Sequence, residues 1–299
     1  ITNQSKLSHM ANNATAPKSA PKKSDKGFTG IKSGFLVIVF CWILAESVYV
    51  FVFGYKSHFA DGDAWTNIPF SFFNEGEHEP VGGDIIGTVY KGGLIVPIIW
   101  TLLFTVVALA IERTFAIRTA NGKGNLAKFA AEVKKALRSG DIDKAEQICD
   151  KQKGSVANVV LAALTEYKKQ LSTDLETEKK VLAIQKTVEE ATALEMPMMQ
   201  ENLPIVGSIV TLGTLTGLLG TVVGMIKSFS AMGSGEGGAD SSALSVGISE
   251  ALVNTASGIA TGALAVIAYN FFTNKIDKLT FAIDELGFTI VETFKTTQK

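Results

Sequence analysis

Apolar residues along this chain gather into four blocks, Gly34 to Phe53, Gly87 to Ile111, Asn202 to Met232 and Ser241 to Phe272. Each is close to the ~20 residues that a helix needs to cross a bilayer, so the pattern predicts four transmembrane helices. Between the second and third blocks the pattern changes. Leu126, Phe129, Val133 and Leu137 recur at three- and four-residue steps, the period of a helix with one apolar face. Val156, Val159, Val160, Ala163 and Leu164 continue that period. Gly140 is placed to close the first of these helices and Asp141 to cap the next. Thr173 with Glu176 predicts a capping box for a long helix through Leu175, Leu182, Val188 and Leu194, kinked near the third block by Pro197 and Pro204. The fold class expected is an all-α integral membrane protein, with long helices extending beyond the bilayer.

The last two blocks carry polar groups that lipid should exclude. A helix turns about 100° per residue, so steps of three, four and seven share a face. In the third block Gly207, Thr214, Gly217, Thr221, Gly224 and Ser228 share a stripe interrupted by Val210; in the fourth, Glu250, Asn254, Ser257 and Thr261 share one. Thr255 and Gly262 lie on a neighbouring face, with Gly258 between the two. Glycines at the Gly213/Gly217 and Gly220/Gly224 spacing commonly do no more than let helices approach. Buried threonines such as Thr214, Thr216 and Thr261 often bond only their own backbone. Glu250 is different, because packing has no use for a carboxyl group within an apolar span, where a charge is costly and marks a bundle interior or an ion path. Asn254, one turn on, is expected to share water or a proton with it. Glu46, in the first block, is expected to hydrogen-bond between helices. Glu112 and Arg113, at the end of the second, are interface candidates expected to anchor the helix.

Charge then orients the spans. Lys6, Lys18, Lys22, Lys23, Lys26 and Lys32 precede the first block against Asp25 alone, whereas the loop after it holds Asp61, Asp63, Glu75, Glu77, Glu79 and Asp84 against Lys56 and Lys91. Arg113, Arg118, Lys123 and Lys128 follow the second block, the turn after the third has Glu236 and Asp240 and no cation, and Lys275 and Lys278 follow the fourth. The positive-inside rule fits every loop with both termini cytoplasmic. The expected organisation is a disordered Lys-rich leader over 1–33 and two spans over 34–112 with an outer acidic loop over 55–89. A cytoplasmic helical domain over 113–201, a pore-lining hairpin over 202–272 and a cytoplasmic helix over 273–299 follow. The first block is not expected to be a signal peptide, since no small-residue site closes it and it runs on through Tyr49, Phe51, Phe53 and Tyr55, aromatics expected at a membrane interface. Trp65, Phe70, Phe72 and Phe73 are expected to form a small outer cap. Asn13-Ala14-Thr15 matches a glycosylation sequon that a cytoplasmic leader would make meaningless.

Composition adds little chemistry. The 299 residues carry a formal charge of -1 and are 46% hydrophobic, which gives no hint of nucleic-acid binding. Two cysteines, Cys41 and Cys149, make no disulfide framework and are expected to be packing residues. His9, His58 and His78 sit in no metal-ligand or triad spacing, and His78 between Glu77 and Glu79 reads as part of a solvated acidic loop. No Gly-rich phosphate loop occurs. No enzymatic site, cofactor or metal is expected.

Gly217-Leu-Leu-Gly-Thr-Val-Val-Gly-Met-Ile-Lys-Ser-Phe229 and Gly247-Ile-Ser-Glu-Ala-Leu-Val-Asn-Thr255, with Gly258 and Ala268-Tyr-Asn270, closely resemble the two inner-helix motifs of the MotA/TolQ/ExbB proton-channel family, with the ExbB branch fitting best. The likeness is strong over 200–275 and weaker through Ile111-Glu112-Arg113 and the helical segment. It implies that Thr221 and Thr255 are the pore threonines and Glu250 the membrane glutamate. Gly217, Gly220, Gly224 and Gly258 would serve helix packing. It also implies a homo-oligomer, a pentamer, whose inner helices enclose the single-span helices of an ExbD-like partner and work through a TonB-like protein in the cell inner membrane. Two features depart from the family pattern. The first block is an extra N-terminal span, expected on the outer side of the ring. Asn254 beside Thr255 is more polar than a simple apolar lining needs.

Overall fold

A computed structural model describes residues 33–60, 81–234 and 241–298. The leader, the expected cap at Trp65, Phe70, Phe72 and Phe73, His78, Glu236 and Asp240 all lie outside the described residues. Every regular element among the described residues is helical. The first block forms α1 (Gly34–Val48), which loosens into a π turn over Tyr49–Phe53. The second is broken into α2 (Ile85–Lys91) and α3 (Ile95–Asn121), with Gly92 and Gly93 between them. Then come α4 (Leu126–Arg138), α5 (Ile142–Gln152), α6 (Gly154–Leu171) and α7 (Thr177–Gln200). The hairpin helices are α8 (Leu203–Ser234) and α9 (Ser241–Thr297). Among the described residues four helices are long and apolar enough to cross a membrane, as the blocks predict.

Two boundaries differ from expectation. The fourth block does not end at Phe272. With no Gly or Pro between Ala263 and Leu286, α9 continues for 57 residues, about 86 Å at 1.5 Å per residue. Its second half crosses the polar domain made by α4 to α7. The long α7 does not run kinked into the third block either. It stops at Gln200, Asn202 takes a left-handed φ of 63°, and Pro204 sits in the first turn of α8, where the missing N–H costs nothing.

The polar domain is held by large aliphatic and aromatic side chains. Val133, Leu137, Leu164, Ile184, Ile283, Leu286, Ile290 and Phe294 are all essentially buried in one cluster, and Tyr167 meets Phe294 edge-on with ring centroids 4.9 Å apart. Local signals set its corners. Asn125 accepts from the backbone N–H of Ala127 and Lys128, and Asp141 from that of Lys144, while Gly140 with φ of 74° ends the turn after α4. The expected capping box does not form. The Thr173 hydroxyl donates to the Lys169 carbonyl at 2.9 Å, at the end of α6, and Glu176 itself takes the N-cap position of α7 without a side-chain bond.

Arg113 and Glu112 also need correction. Arg113 is fully buried and Glu112 is 5% exposed, so neither anchors the helix at a lipid interface. The Arg113 Nε donates to Glu112 Oε2 at 2.6 Å, and a second guanidinium nitrogen pairs with Oε1. Its Nη1 donates to the Met198 and Met199 carbonyls at 3.2 and 3.3 Å. Those carbonyls belong to the last turn of α7, which has no intrahelical partner for them and a negative dipole end. The ion pair therefore joins α3 to the end of the polar domain.

Candidate functional site

The site follows from how α8 and α9 approach. Val206, Ile209, Gly213, Gly217, Gly220, Gly224 and Ser228 form the buried side of α8; Ala251, Asn254, Gly258, Thr261, Gly262 and Ala265 form that of α9. Small residues meet small residues along the antiparallel pair. A Cβ on Gly258 would lie 2.6 Å from Gly217 Cα, and one on Gly224 would lie 2.9 Å from Ala251 Cβ. Gly217 and Gly258 thus sit where backbones nearly touch, Gly220 faces the Asn254 side chain and Gly224 faces Ala251. Large apolar side chains, among them Leu215, Leu218, Leu219, Leu252 and Ile259, point outward and are exposed in the single chain.

Thr221 and Thr255 meet at one edge of this contact. Their hydroxyls are hydrogen-bonded to each other. Thr255 Oγ1 also reaches the Gly217 carbonyl at 3.1 Å, and Thr221 Oγ1 the same carbonyl at 3.4 Å. Both are half-buried, so the pair sits at the rim of the hairpin. Glu250, also half-buried, is not brought to it. Five residues separate Glu250 from Thr255, or about 140° around the helix, and the buried stripe from Ala251 to Ala265 lies between them. One chain therefore presents two hydroxyls on one flank of α9 and a carboxyl on the other.

Asn254 is turned into the packing of the single chain. It is 3% exposed and its Nδ2 donates to the Gly92 carbonyl at 3.1 Å, which joins α9 to the break between α2 and α3. Thr214 and Thr261 bond the carbonyls of Val210 and Ser257 four residues back, the backbone role expected for them. Glu46 Oε1 is buried with no hydrogen-bond partner among the described residues, so the expected interhelix bond is not seen there.

Beside the α2 end of the bundle, the sequence pattern had missed a contact. His58 Nδ1 lies 2.5 Å from Asp84 Oδ2, and Asp84 caps α2 by accepting from the Ile86 N–H at 2.9 Å. The hydrogen bond from His58 holds the Asp84 carboxyl below its ordinary range. Residues 26 positions apart offered no spacing signal. The Gly92-Gly93 pair was a visible signal for the break next to Asn254. Cys41 and Cys149 are both free and buried. Among the described residues no group of three or more metal-ligating side chains occurs.

A family model described as the MotA/TolQ/ExbB proton channel family matches residues 152–285, a stretch that holds Thr221, Glu250 and Thr255. A Synechocystis protein, putative biopolymer transport protein ExbB-like 3, is 32% identical over 186 residues, 60% of this chain and 81% of that protein. The biopolymer transport protein ExbB of Helicobacter pylori is 38% identical over 94 residues, 31% of this chain and 63% of that protein. A putative biopolymer transport protein ExbB homolog of Methanothermobacter thermautotrophicus is 31% identical over 94 residues, 31% of this chain and 33% of that protein.

Proposed function

The chain belongs to the MotA/TolQ/ExbB proton channel family, and on that premise we propose that it is the proton-channel subunit of an ExbB–ExbD–TonB-type energy transducer. In this reading it is a multi-pass protein of the inner membrane with both termini cytoplasmic. Five copies form a ring around the single-span helices of an ExbD-like partner. Proton flow through the ring drives a TonB-like protein that powers nutrient uptake across the outer membrane.

The observation that carries the reading is the Thr221–Thr255 hydroxyl pair, set at the rim of an otherwise small-residue contact inside an apolar span. Two hydroxyls can solvate a carboxyl group on a partner helix without adding a fixed charge that would trap the proton. Glu250, on the opposite flank of α9, faces a neighbouring copy's side of the ring, so acid and hydroxyls alternate around a common axis. Each proton crossing releases about 2.3 kcal/mol per 100 mV, and a few such crossings suffice for a mechanical step.

The test is energised uptake of a scarce nutrient such as a ferric siderophore in cells carrying Glu250→Ala or Thr255→Val. Both variants are expected to abolish uptake while the oligomer stays assembled. Normal uptake by both removes the site assignment. Intact uptake with a leaky envelope or lost motility moves the chain to another branch of the family.

A further inference from the structure

A break at the head of an apolar helix leaves backbone groups without intrahelical partners. At Gly92 and Gly93, between α2 and α3, that need is met from another helix, because the Gly92 carbonyl accepts from Asn254 Nδ2 at 3.1 Å. The seat is tight on both sides. A Cβ on Gly92 would lie 2.7 Å from Asn254 Oδ1, and one on Gly220 would lie 2.6 Å from Asn254 Cβ. Asn254 is thus wedged between the break and α8. Its Oδ1 is also buried without a hydrogen-bond partner among the described residues, a cost that a leucine of similar size would not carry. Filling space alone does not call for an amide there.

The next residue is Thr255, about 100° further round the same helix. Its hydroxyl meets Thr221 and the Gly217 carbonyl on the far side of the hairpin contact. The two residues are rigidly linked through the α9 backbone. A turn of α9 that lifts Asn254 off Gly92 swings Thr255 away from Thr221 through the same angle.

We propose that Asn254 is a positioning residue. It locks the rotational setting of α9 against the Gly92–Gly93 break, and so keeps the Thr255 hydroxyl facing Thr221. Its consequence for proton flow rests on the proposed role of those two threonines; the geometric claim does not.

The test uses the full chain in membranes with Cys41→Ala and Cys149→Ala to remove background thiols. One cysteine pair, Thr221→Cys with Thr255→Cys, reports the setting of α9. A reference pair, Val188→Cys with Gly287→Cys, reports the polar domain, where a Cβ on Gly287 would lie 2.9 Å from Val188 Cγ1. Disulfide yield under mild oxidation is compared with and without Asn254→Leu, and with and without Gly92→Ala. Both substitutions are expected to lower the 221–255 yield several-fold and to leave the 188–287 yield unchanged. An unchanged 221–255 yield overturns the proposal. An equal fall at both pairs also overturns it, because Asn254 would then support the fold as a whole. Energised uptake is measured on the same substitutions in the chain with Thr221 and Thr255 intact. A lower 221–255 yield with normal uptake upholds the positioning claim and counts against the pathway role of the threonines.

Discussion

Helix α9 passes through two surroundings, and its two halves are built by opposite rules. In the hairpin half the buried positions are Ala251, Asn254, Gly258, Thr261, Gly262 and Ala265, and the exposed ones include Leu252, Ile259 and Ile267. In the polar-domain half the buried positions are Ile276, Leu279, Ile283, Leu286, Ile290 and Phe294, and the exposed ones include Asp277, Lys278, Asp284 and Glu285. Where lipid surrounds the helix, burying a large apolar side chain brings no gain over leaving it in hydrocarbon. Close backbone approach and hydrogen bonds must hold the pair instead. Where water surrounds it, each large apolar side chain buried contributes about 1.5–3 kcal/mol. The same helix therefore changes its packing rule along its length, and that explains why polar groups such as Thr221 and Thr255 can sit in a contact made of glycines.

The sharpest way to break this comparison is to truncate a large side chain in the wet half. Phe294→Ala is expected to cost about 3–5 kcal/mol, the range for a fully buried phenylalanine, and to open the polar domain. Cys149 reports the opening. Burial pushes its thiol up to about 12, so at neutral pH almost no thiolate is present and a maleimide should label it only after local opening. Labelling is expected to be slow in the parent chain and clearly faster in the variant; equal rates would contradict the assigned core.

Adding a methyl group should hurt most in the hairpin half. Gly258→Ala drives a Cβ into the Gly213 carbonyl and Gly217 Cα, backbone atoms that cannot step aside, and is expected to cost about 1–3 kcal/mol or more. Gly287→Ala meets only the tip of Val188. The helix propensity it gains, ~0.8–1 kcal/mol, should leave it near neutral. Thermal denaturation of both variants in detergent checks the order, and equal losses would erase the distinction between the halves.

The smallest effect is expected on the surface of the wet half. Lys168 bonds Asp143 and Glu146 at 2.5 and 2.6 Å, and these carboxylates raise its pKa. A raised pKa means a contribution fully present below the ordinary lysine value of 10.5 and lost as pH climbs through the raised one. Because the side chain is 37% exposed, Lys168→Met is expected to cost only about 0–1 kcal/mol. The cost should be constant from neutral pH up to the ordinary lysine value and vanish above the raised one, as read from melting temperature against pH.

Much of this was legible in the residues. Four apolar blocks gave four membrane-capable helices, and the glycine steps at 213, 217, 220 and 224 gave the α8–α9 contact, because one-dimensional periodicity maps directly onto a helix face. What was not legible depended on partners distant in sequence. Glu250 and Asn254 share a stripe at steps of four, yet the 40° or so between them puts one at the flank and the other inside, against Gly92. Arg113 followed an apolar block and looked like an interface anchor. Only the fold shows the carbonyls of Met198 and Met199 waiting for it. The capping box at Thr173 failed because the preceding helix end claimed the hydroxyl first, a competition that local sequence cannot rank.

The most direct measurement is proton flux into liposomes containing this chain together with the proposed ExbD-like single-span protein, driven by an imposed potential. The parent is compared with the double variant Thr221→Val and Thr255→Val, which keeps shape and removes both hydroxyls. Flux that requires the partner and is lost in the double variant, with the oligomer intact, is the predicted result. Undiminished flux in the double variant would contradict the account.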